Sequence, residues 1–448
     1  MNDIVKNTDQ DNPFFHRFIV KLNDHFKHPQ VADGTEPGNK NDQLLWDTIL
    51  IKFPGLQITK LFASLPAEKI ISLINKGKSS DPLYHPPDLL KYYMVTSNKP
   101  GDPDEFINSL LLFDGIESAY FHGRQISAST FTKNESKEYL QDYLNPAPEG
   151  MNIKSMWKLK GGRGNNDIKF IDIEQGWTLN PECVNASMLP LTGINDRTYG
   201  HHGAAVLEII MGKENGTGIC GILPEAAGHV MSQWRPDGSP NEADAVLAAI
   251  SYLDYGDIIL LESQSFSSTT QNKLWPAEIY DANFQAIRLA TALGIVVIEA
   301  GGNGDLYTGI GNDLDELTTR EKKILNPASQ DFKDSGAIIV GAAYPDVRHA
   351  RMHCSNYGNR INCFASGRPA GKLNGTSGAA AVIAGAAIAI QSITGAIQKI
   401  RLSPTQMRSI FSEDLYGTPS ANGRNNDKIG VMPDLKKITE HYLKIQMQ

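Results

Sequence analysis

The segment Asn374-Gly375-Thr376-Ser377-Gly378 runs directly into Ala379 to Ile390, a stretch drawn only from Ala, Gly, Val and Ile. So little side-chain bulk predicts a helix buried against a sheet, with a glycine-bearing turn leading into it. Ser377 then stands at the N-terminus of that helix. Unpaired backbone N–H groups and the helix dipole there favour developing negative charge. Serine is also a preferred helix cap, and alone it reads as one. A nucleophile needs an adjacent base and a third group that orients the base.

Three upstream segments supply such company. Asp167-Ile168-Lys169-Phe170-Ile171-Asp172-Ile173 reads as a β-rich apolar run ending in a carboxylate. Open α/β sheets keep their chemistry at the C-terminal ends of parallel strands. His201-His202-Gly203 opens an amphipathic helix pattern through Ile210. Gly294 to Gly304 reads as a buried strand entering a glycine-rich turn, Gly301-Gly302-Asn303-Gly304. The Asn303 amide is able to donate to an oxyanion, although Asn in such a turn is by default conformational.

In this order, Asp172, His202, Asn303 and Ser377 resemble the motifs of a subtilisin-like serine peptidase, a subtilase. The Asp…His…Ser sequence order is that of subtilisin. Asn326-Pro327-Ala328-Ser329, Asp334 to Ala342, Ser355-Asn356-Tyr357-Gly358 and Gly430 to Leu435 extend the resemblance over roughly residues 140–440. It implies an α/β fold with a subtilisin-like, doubly wound, mostly parallel sheet and helices on both faces. It also implies a hydrolase, a serine endopeptidase working through an acyl-enzyme. By that resemblance Ser377 attacks the scissile carbonyl and His202 shuttles the proton. Asp172 fixes the imidazole tautomer, and Asn303 with the Ser377 N–H forms the oxyanion hole. Losing such a donor costs on the order of 10²–10³ in kcat, a magnitude that belongs to subtilisin itself. His202 rather than His201 is the expected base because Gly203 follows it, as in the family's His-Gly.

Departures accompany the match. The family's Asp-(Ser/Thr)-Gly is set against Asp172-Ile173-Glu174, its His-Gly-Thr against Ala204, and the proline after its serine motif against Ala381. The strand Asp257 to Ser265 is expected to pair with an extended substrate by β-augmentation. Where subtilases write Ser-Leu-Gly, this chain has Glu262-Ser263-Gln264. Glu262 either faces a substrate pocket and favours basic side chains or forms a salt bridge. Glu262 and Ser263 are expected on one wall of the substrate cleft, Gly301 and Gly302 on the other, where small residues let a backbone approach.

The front of the chain carries a polar tail over 1–16. Strand patterns follow at Phe18–Leu22, Leu56–Phe62, Leu90–Val95 and Ile116–Phe121, with a helix pattern at Asp104–Leu111. These predict a small α+β domain over 17–126, resembling a ferredoxin-like subtilase propeptide that acts as intramolecular chaperone or inhibitor. A linker over 127–139, exposed and polar, is the expected cleavage site. The peptidase domain is expected over 140–448. The alternatives are a catalytically silent subtilase-fold binding protein or an autoinhibited zymogen. A nucleotide cradle at Gly301-Gly302-Asn303-Gly304 has no accompanying P-loop motif.

Composition excludes other classes. A net charge of −8 argues against nucleic acid as principal partner. No uninterrupted apolar run reaches the roughly 18 residues of a membrane span, and the N-terminus lacks a secretory pattern. The compartment stays open between the cytoplasm, export by a non-classical route, and a chain that has already been processed. The partners are a protein or peptide substrate. No cofactor is required for the chemistry. The resemblance leaves structural calcium open, with oxygen ligands on offer at Asn312 to Glu316, against the simpler reading of a solvated acidic loop. Cys354 and Cys363 flank an apparent hairpin and could bridge if oxidised, whereas free thiols are the simpler reading in a reducing compartment.

Overall fold

The computed structural model describes residues 17–23, 40–97, 102–122, 125–127, 141–164, 167–216, 219–267, 270–319, 322–371 and 373–446. The polar tail and all of the expected linker except Ser127 lie outside them.

The front of the chain builds β1 (Arg17–Leu22), α1 (Lys40–Lys52), β2 (Gln57–Lys60), α2 (Ala67–Ser80), β3 (Tyr92–Thr96), α3 (Pro103–Leu110) and β4 (Ile116–Phe121). Its strands form an antiparallel sheet in the order β2-β3-β1-β4. That order is ferredoxin-like, with α2 inserted between the second and third strands. The insertion accounts for the long interruption between the strand patterns in the sequence. α3 starts where its acidic first turn predicts, with the Asp102 side chain accepting from Asp104 N at 2.8 Å and Pro103 at the first position.

After β5 (Gln125–Ser127), the chain forms β6 (Phe170–Glu174), β7 (Ala186–Met188), α4 (Gly200–Met211), β8 (Gly228–Ser232), α5 (Glu242–Ile250), β9 (Ile258–Leu261), β10 (Ser263–Ser267) and β11 (Thr270–Pro276). There follow α6 (Asp281–Ala292), β12 (Val296–Ala300), β13 (Gly304–Asp305), β14 (Ile338–Ala343), β15 (Cys363–Ser366), α7 (Thr376–Ile397), α8 (Pro404–Ser412), β16 (Gly417–Pro419) and β17 (Val431–Pro433). The central sheet runs β16-β17-β15-β14-β12-β9-β6-β8-β7. It is parallel except for the β16–β17 pair at one edge.

Strand alternation decides how the layers form. Ile258 and Leu260 point into a cluster with α4 and α7, while Ile259 and Leu261 point into another with α5 and α6. Both faces of these strands are buried, which explains why they read as continuous apolar runs. α7 is long and apolar enough to span a membrane by composition, yet it is a core helix buried at every residue from Thr376 to Thr394.

The second apolar cluster does not stop at the central sheet. Ile19, Leu61, Phe62, Ile70, Leu73, Tyr92 and Met94 of the front module join Ala243, Val246, Ala282, Ala286 and Leu289 of α5 and α6. Each large side chain buried this way contributes about 1.5–3 kcal/mol. Polar contacts fix the register. Asp244 Oδ1 accepts from Ala63 N and Ser64 N, both at 2.9 Å. Asn241 Nδ2 donates to Leu61 O at 2.7 Å, and Tyr92 OH donates to Asp281 Oδ2 at 2.6 Å.

Candidate active site

The order of the central sheet reverses at β6, which has β8 on one side and β9 on the other. Crevices at such points, beyond the C-terminal strand ends, are where open α/β sheets bind and react. Glu174 ends β6, Glu262 follows β9, and Asn303 lies just past β12. The three therefore share one edge of the sheet.

His202 lies in the first turn of α4 and is buried, whereas His201 is exposed. Gly203 lets this turn pack down, since a Cβ there would meet Trp177 Cδ1 at 2.4 Å. The His202 Nδ1–H donates to both carboxylate oxygens of Glu174 at 2.8 Å. This corrects the expectation for Asp172. Asp172 is equally buried, but its Oδ2 accepts from Trp177 Nε1 at 2.7 Å and its Oδ1 has no hydrogen-bond partner. The reason is strand geometry, because residues two apart share a face and only the last reaches past the sheet end. The missed signal was Gly176. Glu174-Gln175-Gly176 sets the family's Asp-(Ser/Thr)-Gly two residues later, with Glu for Asp. A Cβ at Gly176 would meet Asp196 O at 2.0 Å, so the glycine is structurally required.

Ser377 occupies the first turn of α7, and Gly375 before it has φ +112. A Cβ at Gly375 would also meet Asn303 Nδ2 at 2.6 Å, so glycine is required twice over. The Asn303 side chain is held against this turn. Its Oδ1 accepts from Thr376 N at 2.9 Å and from Thr376 Oγ1 at 3.0 Å. Gly302 N donates to Thr376 Oγ1 at 3.1 Å, and Gly302 itself takes φ +90. Gly301 and Gly302 are both buried in this turn, and a Cβ on Gly301 would meet Val340 O at 2.7 Å. α4 and α7 pack together. His202 Nε2 and Ser377 Oγ are each buried without a hydrogen bond.

Glu262 meets neither an open pocket nor a salt-bridge partner. It is fully buried, and its carboxyl adjoins the Ser377 hydroxyl with Glu174 and Asp172 nearby. Burial, then the charges of Glu174 and Asp172, pushes its carboxyl well above the usual range. Asp172 is likewise raised by burial and by Glu174, against the Trp177 N–H. Ser263 turns its hydroxyl inward to Glu242.

The chain's own β5 lies along the expected substrate strand. It pairs antiparallel with β10, Ser127 opposite Ser263, Ile126 opposite Gln264 and Gln125 opposite Ser265.

The acidic segment Asn312 to Glu316 does not form an oxygen cage. Lys428 Nζ reaches Asp313 Oδ2 at 3.1 Å and Asp315 Oδ2 at 3.0 Å, and Asn359 donates twice to Asp315. A lysine ammonium thus pairs with both carboxylates of this segment that face it. No grouping of three or more His, Cys, Asp or Glu side chains fit for a metal occurs among the described residues. The four cysteines are free.

Residues 183–428, more than half of the chain, match the model described as Subtilase family. The chain belongs to the subtilase family of serine proteases. This subtilase is 24% identical over 314 residues to the major intracellular serine protease of Bacillus subtilis (strain 168), covering 64% of this chain and 90% of that protein. Its fold is similar to that of fervidolysin from Fervidobacterium pennivorans, a keratinolytic enzyme related to subtilisin, with a TM-score of 0.53 and 14% identity. That similarity covers 97% of this chain, which spans 61% of fervidolysin's length.

Proposed function

We propose that this subtilase is an endopeptidase whose triad is Glu174, His202 and Ser377. The observation that carries the reading is the buried two-oxygen grip of Glu174 on His202 Nδ1. It fixes the tautomer that leaves Nε2 as proton acceptor and stabilises the imidazolium. As Ser377 Oγ bonds to the scissile carbonyl carbon, its proton passes to Nε2 and the carbonyl oxygen takes the charge. The Asn303 amide and the Ser377 N–H receive that oxyanion at the helix N-terminus. Collapse breaks the C–N bond, and the imidazolium protonates the leaving amine. Water then repeats the sequence on the acyl ester and regenerates the serine.

Residues 17–127 form an intramolecular inhibitor in this reading, and the described state is the zymogen. The pairing of β5 with β10 supports it, since a substrate strand would need the same backbone groups. Cleavage falls within 127–139, ahead of a peptidase domain that begins near 140.

Incubating the full chain with a serine-directed phosphonate and mapping the adduct by mass spectrometry tests this. The expected result is labelling of Ser377, slow at first and faster once the linker is cut, and lost in His202→Ala. A chain left unlabelled after the front segment is removed overturns the reading in favour of a silent binding protein.

A further inference from the structure

Glu262 has no part in the triad just described, yet it touches the nucleophile. Its side chain is wholly buried, and neither Oε1 nor Oε2 has a hydrogen-bond partner. The groups that face it are the Ser377 hydroxyl on α7 and the carboxyls of Asp172 and Glu174 on β6. His202 of α4 stands one hydrogen bond further away, on Glu174. No lysine or arginine pairs with Glu262 among the described residues.

A carboxylate would not persist there. Burial without a cation is costly for an ion, and two further carboxyls make the field more negative. An un-ionised acid, by contrast, has an O–H to donate, and its one uncommitted neighbour is Ser377 Oγ. A merely structural residue at this point would be apolar or a small hydroxyl, either of which avoids the burial cost. Features that break the rules of packing in this way concentrate at functional sites.

We propose that Glu262 is a further catalytic residue, an un-ionised carboxylic acid that donates a hydrogen bond to Ser377 Oγ while that oxygen carries developing negative charge. The proposal rests on the triad reading above. No net proton transfer is involved. In acylation the Ser377 proton still goes to His202, and Glu262 keeps its own. In deacylation the same O–H steadies Oγ as it leaves the acyl carbon. The burial and like-charge neighbours that raise this carboxyl above its usual range favour the donor form over the ionised one. Ionisation at higher pH removes the donor and sets a negative charge beside the oxygen.

The sign follows directly. Activity falls with rising pH through the Glu262 titration, in addition to the acid-side rise set by the base. The test is the pH profile of kcat/KM on a fixed peptide substrate for the full chain after processing, wild type against E262Q, E262S and E262A. Glu262→Gln keeps a donor that cannot ionise, so it should retain activity and lose the alkaline fall. Glu262→Ser restores the residue other subtilases carry there, and it keeps the test open if Gln disturbs folding. It too should lose the fall. Glu262→Ala should lose about 10–100-fold in kcat below the Glu262 titration, the range of a single positioned donor, and that loss should shrink above it. An alkaline fall unchanged in both E262Q and E262S, or wild-type kcat in E262A, overturns the proposal. Phosphonate labelling of Ser377 in the wild type separates these outcomes. If the wild type labels but the profiles coincide, only the role of Glu262 falls. If it does not label, the triad reading falls.

Discussion

Two carboxyls two residues apart on β6 divide work that the sequence assigned to one. Glu174 grips the imidazole while Asp172 holds Trp177. Their substitutions should therefore diverge sharply. Glu174→Gln should lower kcat about 10⁴-fold, the scale of losing the orienting acid in other serine proteases. Asp172→Asn keeps an acceptor for the Trp177 N–H and should cost less than about tenfold, because a neutral hydrogen bond is worth only about 1 kcal/mol. Steady-state kinetics on both variants decide it, and the reverse order would return Asp172 to the triad. The turns that carry Ser377, His202 and Asn303 were legible in the sequence because each is marked by a glycine whose backbone conformation or close packing is demanded locally. The hydrogen bond to His202 was expected two positions too early, because Asp172 matches the family's residue type while Glu174 is the carboxyl that reaches the imidazole. Only the packing of Gly176 against Asp196 distinguishes them.

Elements carry the next layer of control. β5 pairs antiparallel with β10, so Ile126→Pro, which disfavours the extended pairing of so short a strand, should free the cleft. The expected outcome is a several-fold faster Ser377 labelling of the uncut chain; unchanged labelling would show that the front segment does not gate the site. Asp244 offers an independent lever. It docks Ala63 and Ser64, and its Oδ2 pairs at 2.9 Å with the buried Arg235. Asp244→Ala strands that guanidinium, at a cost of about 3–5 kcal/mol. It should loosen the front module, seen as earlier protease nicking ahead of the catalytic domain. The front module's strands were readable from alternation and its third helix from an acidic first turn. α2 was not, because its apolar face is shaped to fit α6 rather than its own sheet, and that partnership is invisible along the chain.

At the scale of the molecule, the raised carboxyls of Glu262 and Asp172 make stability depend on pH. Both bind protons more tightly folded than unfolded, so the native state holds more protons over the intervening range. Stability should therefore fall as pH rises from about 4, where unfolded carboxyls ionise, until the native groups lose theirs. The gap between urea midpoints at pH 5 and pH 8 should narrow in the Glu262→Gln, Asp172→Asn double variant, with the raised Glu299 left in place. A gap left unchanged in the double variant would contradict the assignment. Lys428 makes a second global prediction. With an ammonium between Asp313 and Asp315, chelators should leave Tm unchanged, whereas Lys428→Ala should lower it and make it respond to added calcium. The acidic run alone suggested ligands because the lysine that answers it lies more than a hundred residues away in sequence.

The helix that bears Ser377 is walled in along its length from Thr376 to Thr394. Nothing there is free to drift, and nothing larger fits. Substitutions that alter cleavage and leave the fold intact must therefore lie outside this helix. A mutagenesis library confined to 379–390 should return chiefly insoluble clones.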